Sequence, residues 1–304
     1  MGTGIFFWIG FIAFIILMLA LDLGVFNKES HKIPVREAAI WSIIWISMAL
    51  LFNLFVLLNF GKTKALEFLT GYVIEYSLSV DNIFVFILIF SFFSVRDEYQ
   101  HRILFLGIIG ALIMRAIFIF AGVALINRFH WIVIVFGGFL IITGIRMLIH
   151  KETHVDPEKN IVVRFTRKFL RISDTLYADR FFIKQSGKLY ATPLFIVLLV
   201  IESSDLIFAV DSIPAILAIS KDTFIVFTSN IFAIMGLRSL YFAVAGIMEL
   251  FRYLKIGLAV LLTFVGLKML GSYFNVEIHI ILSLLIIVSI LLISILASVF
   301  IKKK

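Results

Sequence analysis

The sequence predicts an all-α, polytopic membrane protein of about nine transmembrane helices. Three observations carry that prediction. Hydrophobic residues make up 62% of the 304-residue chain and mean hydropathy is +1.13, whereas soluble domains are close to half apolar. The apolar residues form runs of the length, about 20 residues, that a helix needs to cross the hydrocarbon. The basic residues gather in alternate loops, as in chains threaded through a bilayer.

The first run covers 4–26. It has no basic leading segment, and Asp22-Leu23-Gly24-Val25-Phe26 lacks the small-residue pattern of a cleavage site, so it is expected to stay as a helix. A second run, 38–59, completes an N-terminal two-helix segment, 1–60. Runs at 66–93, 103–126 and 130–149 then make a three-helix unit within 61–150. Residues 151–190 form a basic loop. Phe165, Phe169, Ile172 and Leu176 recur there at helical spacing among Arg164, Arg167, Lys168 and Arg171. That pattern suits either a helix lying on an anionic membrane surface or a loop whose charges only set topology. Runs at 191–219, 223–250 and 254–272 make a second three-helix unit within 191–272, and 278–300 is a last helix within 273–304.

Orientation follows from the loops. Lys28, Lys32 and Arg36, then Arg96 and Arg102, the nine basic residues of the long loop, Arg252 and Lys255, and Lys302 to Lys304 all fall on one side. The other side has Lys62, Lys64, Arg128 and Lys221. Cytoplasmic loops are enriched in Lys and Arg, so the N-terminus is expected outside and the C-terminus in the cytoplasm. The same placement explains the formal charge of +8 without a nucleic-acid partner. There is no cysteine, which excludes disulfides and thiolate metal sites. No Walker-type Gly-rich Lys motif is present, so ATP hydrolysis is not expected.

The two three-helix units resemble each other. Val80-Asp81 matches Val210-Asp211, and Glu75 then falls opposite Asp205. Arg115 and Gly122 match Arg238 and Gly246 with a one-residue slip, and Gly144 to Leu148 matches Gly266 to Leu270. An odd number of helices per unit makes the pair inverted in the membrane, the arrangement of many secondary transporters.

Five carboxylates lie deep within the predicted spans, away from their ends: Glu75 and Asp81 in the first unit, and Glu202, Asp205 and Asp211 in the second. Each costs roughly 2.5–3.5 kcal/mol at the bilayer centre on the gentlest insertion scale, so they are expected to serve a cation or proton pathway. Glu75 and Asp81 are six apart, as are Asp205 and Asp211, which separates each pair by about 120° around an ideal helix. Convergence on one ion is therefore expected to need a break, and Pro214 offers one. Ser79, Ser212, Asn82 and Asn230 could add oxygen ligands. Arg115 and Arg238, mid-helix, could serve as counter-charges or as permanent ion-pair partners. Arg146 and Lys268 are expected to snorkel, and Asp22 to be interfacial. All six histidines fall in loops or at helix edges. An all-oxygen set suits hard cations such as Mg²⁺, Ca²⁺ or Mn²⁺. No catalytic cofactor is expected.

The runs Glu75-Tyr76-Ser77-Leu78-Ser79-Val80-Asp81-Asn82, Ile201 to Pro214 and Thr228 to Tyr241 resemble the TerC/Alx family of integral membrane proteins, over helices one to about eight. That family is named for tellurite-resistance operons and is associated with Mn²⁺ export. The resemblance implies that Glu75, Asp81, Glu202, Asp205 and Asp211 are metal-pathway acids in a bacterial inner membrane, with Mn²⁺ as the cargo and protons as the coupling ion. A Ca²⁺/H⁺ exchanger-like choice of ion and an accessory role in handing metal to other enzymes stay open. An intramembrane aspartyl protease is the enzymatic alternative, but its Gly-x-Gly-Asp signature is absent.

Overall fold

A computed structural model describes residues 4–21, 34–149, 171–173, 180–185, 188–245, 253–276 and 278–300. Ten helices are found among them: α1 (Ile5–Leu21), α2 (Val35–Phe60), α3 (Lys62–Phe92), α4 (Asp97–Arg128), α5 (Ile132–Ile149), α6 (Pro193–Leu217), α7 (Thr223–Met235), α8 (Leu237–Ala245), α9 (Leu254–Tyr273) and α10 (Ile280–Phe300). Seven of these are long and apolar enough to span a membrane, and α7 with α8 makes an eighth if the bent pair is one span. The protein is thus a polytopic, helical membrane protein. The ninth expected span is α1, whose 17 described residues are at the short limit for crossing. Asp22 lies outside the described residues.

Local chemistry explains where the helices begin and end. Gly61 sits between α2 and α3 at φ +86° and donates its N–H to the Leu57 carbonyl. Glycine adopts that conformation without a Cβ penalty, so two long helices join with almost no loop. Pro193 occupies the first turn of α6, where its missing N–H costs nothing. Asp222 caps α7, accepting from the Phe224 N–H at 3.1 Å and the Ile225 N–H at 3.4 Å, which satisfies two of the free donors at a helix start.

Three expectations change. Pro214 does not break α6, which runs through it to Leu217. It sits in the last turn, and the carbonyl it leaves without an intrahelical donor is that of Val210. The break falls instead at Gly236, where α7 and α8 meet at 40°. A Cβ there would lie 3.4 Å from the Tyr76 ring and 3.6 Å from Trp45, ordinary contact distances, so the bend rests against α3 and α2. The long loop is not wholly irregular either. Strands β1 (Phe182–Gln185) and β2 (Lys188–Ala191) form a short antiparallel hairpin, anchored by Phe182 on Phe195 and by the Thr192 hydroxyl donating to the Arg180 carbonyl at 2.6 Å. Ile172, which spacing places in a surface helix, lies in an extended bridge to Ala191; Phe165, Phe169 and Leu176 lie outside the described residues.

The packing of α5 against α9 is reciprocal. α5 and α9 form the most extensive helix pair. Gly137 faces Gly266 and Leu270, while Gly144 faces Ala259 and Thr263, so the two helices run antiparallel. A Cβ on Gly144 lies 2.6 Å from the Ala259 carbonyl oxygen, and a Cβ on Gly266 lies 2.7 Å from the Gly137 carbonyl oxygen. In the sequence register that matches Gly144 with Gly266, Gly137 matches Ala259. The two contacts are therefore the same contact made twice. α3 and α6 also run antiparallel: Gly71 meets Ile216, while Phe86, Ile201 and Asp205 line one cavity. Glycine pairs allow such close approach where lipid supplies no hydrophobic drive between helices.

Candidate functional site

On α3, Tyr72, Glu75, Ser79 and Asn82 recur at spacings of three and four, which puts them on one helix face. All four are buried. On α6 the matching positions are Glu202, Asp205, Ala209 and Ser212. The two antiparallel helices thus bring two largely polar stripes to the core, and α4 and α7 close over them.

Arg115 of α4 links the stripes. It is 1% exposed, Glu75 is fully buried and Asp205 is 3% exposed. Its Nη1 pairs with Glu75 Oε1, and its Nη2 lies 3.4 Å from Asp205 Oδ1. Nη1 also donates to Asn230 Oδ1 at 3.3 Å and to Ser212 Oγ at 3.4 Å. The Asn230 amide in turn donates to Glu75 Oε2 at 3.1 Å. One guanidinium therefore holds carboxylates from both units, with an amide and a hydroxyl around them. The Arg115 side chain reaches both because α4 packs against α6 and α7. Arg238, at the first turn of α8, lines a small cavity with Asp205, Gly107, Ile108 and Ala111. That cavity has room for about one water molecule.

Asp205 Oδ2, Ser79 Oγ and Arg115 Nε are buried without a hydrogen-bond partner in the described residues. A buried polar atom left so costs ~1–3 kcal/mol. Oxygens of this kind, beside two carboxylates, have the chemistry to coordinate a hard cation and its waters.

The remaining acids take other positions. Asp211 accepts from the Thr143 hydroxyl of α5 at 3.2 Å and lies within electrostatic reach of Asp81; both are half-buried. Asp81 in turn feels the charge of Lys255. Glu202 folds its carboxylate against the backbone of Gly110, where any Cβ would collide with it. The five acids thus do not converge on one point, and no group of three His, Asp or Glu side chains able to hold a metal ion is found among the described residues. The reason is the straightness of α3 and α6: without a break, residues six apart stay on different faces. Asn82 is buried on the α3 stripe. Ser77, Ser203 and Ser204 bond back to carbonyls of their own helices.

Lys268 departs from expectation. It is buried, within electrostatic reach of Glu67, instead of snorkelling. Sequence reasoning also passed over Tyr72, Gly110 and Thr143. Tyr72 could have been found, since it lies in heptad spacing with Glu75, Ser79 and Asn82. Thr143 has no sequence signal apart from its place beside Gly144.

The chain is 53% identical over 262 residues to the "Uncharacterized membrane protein STKORF319" of Myxococcus xanthus, covering 86% of this chain and 82% of that one. It is 47% identical over 272 residues to the "Putative membrane-bound redox modulator Alx" of Escherichia coli K12, covering 86% and 85%. An "Uncharacterized membrane protein" of Rickettsia bellii is 41% identical over 292 residues, 96% of each chain. No solved structure matches. The profile of the "Integral membrane protein TerC family" matches residues 60–304, from the junction of α2 and α3 through α10 to the end, so it extends past the expected eighth helix and leaves out α1 and all but the last residue of α2. On that match the chain belongs to the integral membrane protein TerC family.

Proposed function

We infer that this protein carries a hard divalent cation, Mn²⁺ first, across the membrane in exchange for protons, with the N-terminus outside and the two three-helix units inverted relative to each other. One observation carries the reading: Glu75 and Asp205, at matching positions of the two units, are buried at one guanidinium. The reciprocal glycine contacts of α5 and α9 support the inversion.

In this reading Arg115 is the resident counter-charge. A divalent ion and a guanidinium about 4 Å apart repel by roughly 8 kcal/mol at an effective dielectric of 20. Both cannot occupy the pair, so the ion's arrival displaces the guanidinium, and its departure lets Arg115 close the carboxylates again. Ser79, Ser212 and Asn230 supply neutral oxygens around the acids. Oxygen-only coordination favours Mn²⁺, Ca²⁺ or Mg²⁺ over Zn²⁺ or Cu⁺. Asp81, Asp211 and Glu202, half-buried on neighbouring faces, serve as approach sites and proton acceptors.

A second reading draws on the redox name of the Escherichia coli relative. This chain has no cysteine, so it offers no thiol couple of its own, and a redox effect would have to come indirectly, through the metal supply of other proteins. Purified protein in liposomes separates the two. Transport predicts Mn²⁺ uptake driven by an imposed proton gradient and competed by excess Ca²⁺ to a measurable degree; an accessory factor predicts no uptake by the protein alone.

A further inference from the structure

The ends of the α3–α6 pair are sealed in chemically different ways at positions that the repeat makes equivalent. At one end, Lys64 Nζ lies 2.9 Å from Glu67 Oε2 and 3.3 Å from Asp222 Oδ2. Glu67 Oε2 also accepts from the Ser220 hydroxyl at 2.5 Å, and buried Lys268 lies within its electrostatic reach. Lys64 and Glu67 belong to the first unit; Ser220, Asp222 and Lys268 belong to the second. At the other end the register that matches Glu75 with Asp205 puts Leu194 opposite Lys64, Val197 opposite Glu67 and Phe90 opposite Ser220. Those three residues are buried in one apolar cluster with Phe86 and Tyr241. One end is closed by a cross-unit charge network, the other by an apolar plug.

The charged end is also wired to the centre. Asp222 caps α7, and α7 carries Asn230, whose amide bonds to Glu75. A helix is a stiff element, so release of its cap and movement at Asn230 are motions of one body. The partners in the network are partly exposed, with Lys64 at 33%, Glu67 at 14% and Asp222 at 26% of their side-chain surface, so mobile ions can reach them.

We propose that Lys64, Glu67, Ser220 and Asp222 form an electrostatic latch that holds the Lys64 end of the cation pathway closed between the two units, while the Phe90 end is closed by apolar packing. An approaching divalent cation can compete with Lys64 for Glu67 and Asp222; it has no such purchase on Leu194, Val197 and Phe90. The latch takes its purpose from the transport reading, but its test needs no ion flux.

The absence of cysteine makes the test direct. Single-cysteine reporters are placed at Ile216, between the latch and Ser212, and at Val197, in the apolar plug. Each is measured in lipid nanodiscs, open on both faces, with a hydrophilic thiol reagent. The variants E67Q and K64M are expected to speed labelling of Ile216→Cys about tenfold, the scale of a lost charge-assisted bond, and to leave Val197→Cys unchanged. Raised salt should speed Ile216→Cys labelling in the otherwise native chain and have no effect on Val197→Cys. Unchanged labelling at Ile216→Cys in both variants overturns the latch, as does equal acceleration at Val197→Cys, which signals general loosening. If the variants open the Ile216 reporter yet the purified protein moves no Mn²⁺, the latch stands and the transport reading fails.

Discussion

Helices α3 and α6 offer the same four register positions to the core and fill them differently. One position is acidic in both, Glu75 and Asp205. Another is polar in both, Asn82 and Ser212. The other two diverge: Tyr72 against Glu202, and Ser79 against Ala209. The shared acids are the ones that meet at Arg115. The divergent positions sit where the surroundings differ: Tyr72 stacks on Phe68 and leans on Tyr76, while Glu202 lies against Gly110. What the two units have in common is thus the central pair, and what separates them lies along the flanks, so the pair should be the part that function requires most.

The largest effect is expected from removing the charge that joins the units. Arg115→Ala leaves Glu75 and Asp205 buried without their cation, and breaking a buried pair by removing one partner costs about 3–5 kcal/mol. The melting temperature of the purified protein should fall by many degrees, and excess Mn²⁺ should restore part of the loss if the ion takes the place of the guanidinium. A fall that Mn²⁺ leaves untouched would separate the ion site from this pair.

The reciprocity of the units can be tested next. Gly144→Ala and Gly266→Ala each push a methyl group into a backbone carbonyl of the facing helix. Overpacking of this kind costs roughly 1–3 kcal/mol, and equivalent contacts should cost nearly the same. Thermal unfolding of the two variants, side by side, checks this; a large loss in one with none in the other would break the equivalence.

A smaller and more selective effect is expected at Gly110. Gly110→Ala displaces the Glu202 carboxylate from its seat, since that side chain is the near neighbour of any added Cβ. The far end of a flexible side chain can move, so stability should change little while Mn²⁺ uptake slows severalfold. The smallest effect belongs to Thr143→Val, which removes one hydrogen bond to Asp211. Asp211 is half-buried, so water can take the place of the lost donor and the cost is about 0.5 kcal/mol; the Mn²⁺ concentration for half-maximal uptake should rise about twofold with the maximal rate nearly unchanged.

Much of this architecture is legible in the sequence because a bilayer demands long apolar runs. α2, α3, α5, α6, α9 and α10 fall within a few residues of the runs that predict them, α4 starts six residues before its run, and Glu75 and Asp205, matched in the sequence, meet at Arg115. Other features depend on three-dimensional neighbours. Pro214 looks like a helix breaker, but at the last turn it interrupts almost nothing, while Gly236, a residue in a long apolar run, takes the bend. Arg115 and Arg238 read alike in the sequence; Arg115 bonds to both Glu75 and Asp205, while Arg238 lines the small cavity beside Asp205. Lys268 reads as a snorkelling end residue and is instead buried, within electrostatic reach of Glu67 from a distant part of the chain. The five acids are expected to gather together; among the described residues Glu75 and Asp205 are seen to share a partner, because unbroken helices keep Asp81 and Asp211 on other faces.

The central claim is that the buried acids of the two units form one cation centre. Mn²⁺ flux in proteoliposomes, measured for the native chain and for Glu75→Gln, Asp205→Asn and Asp211→Asn at matched amounts of folded protein, tests it most directly. Loss of flux by about a hundredfold or more in Glu75→Gln and Asp205→Asn, the scale of a required charged ligand, with a milder loss in Asp211→Asn, is the predicted result. Native flux in both Glu75→Gln and Asp205→Asn would contradict it.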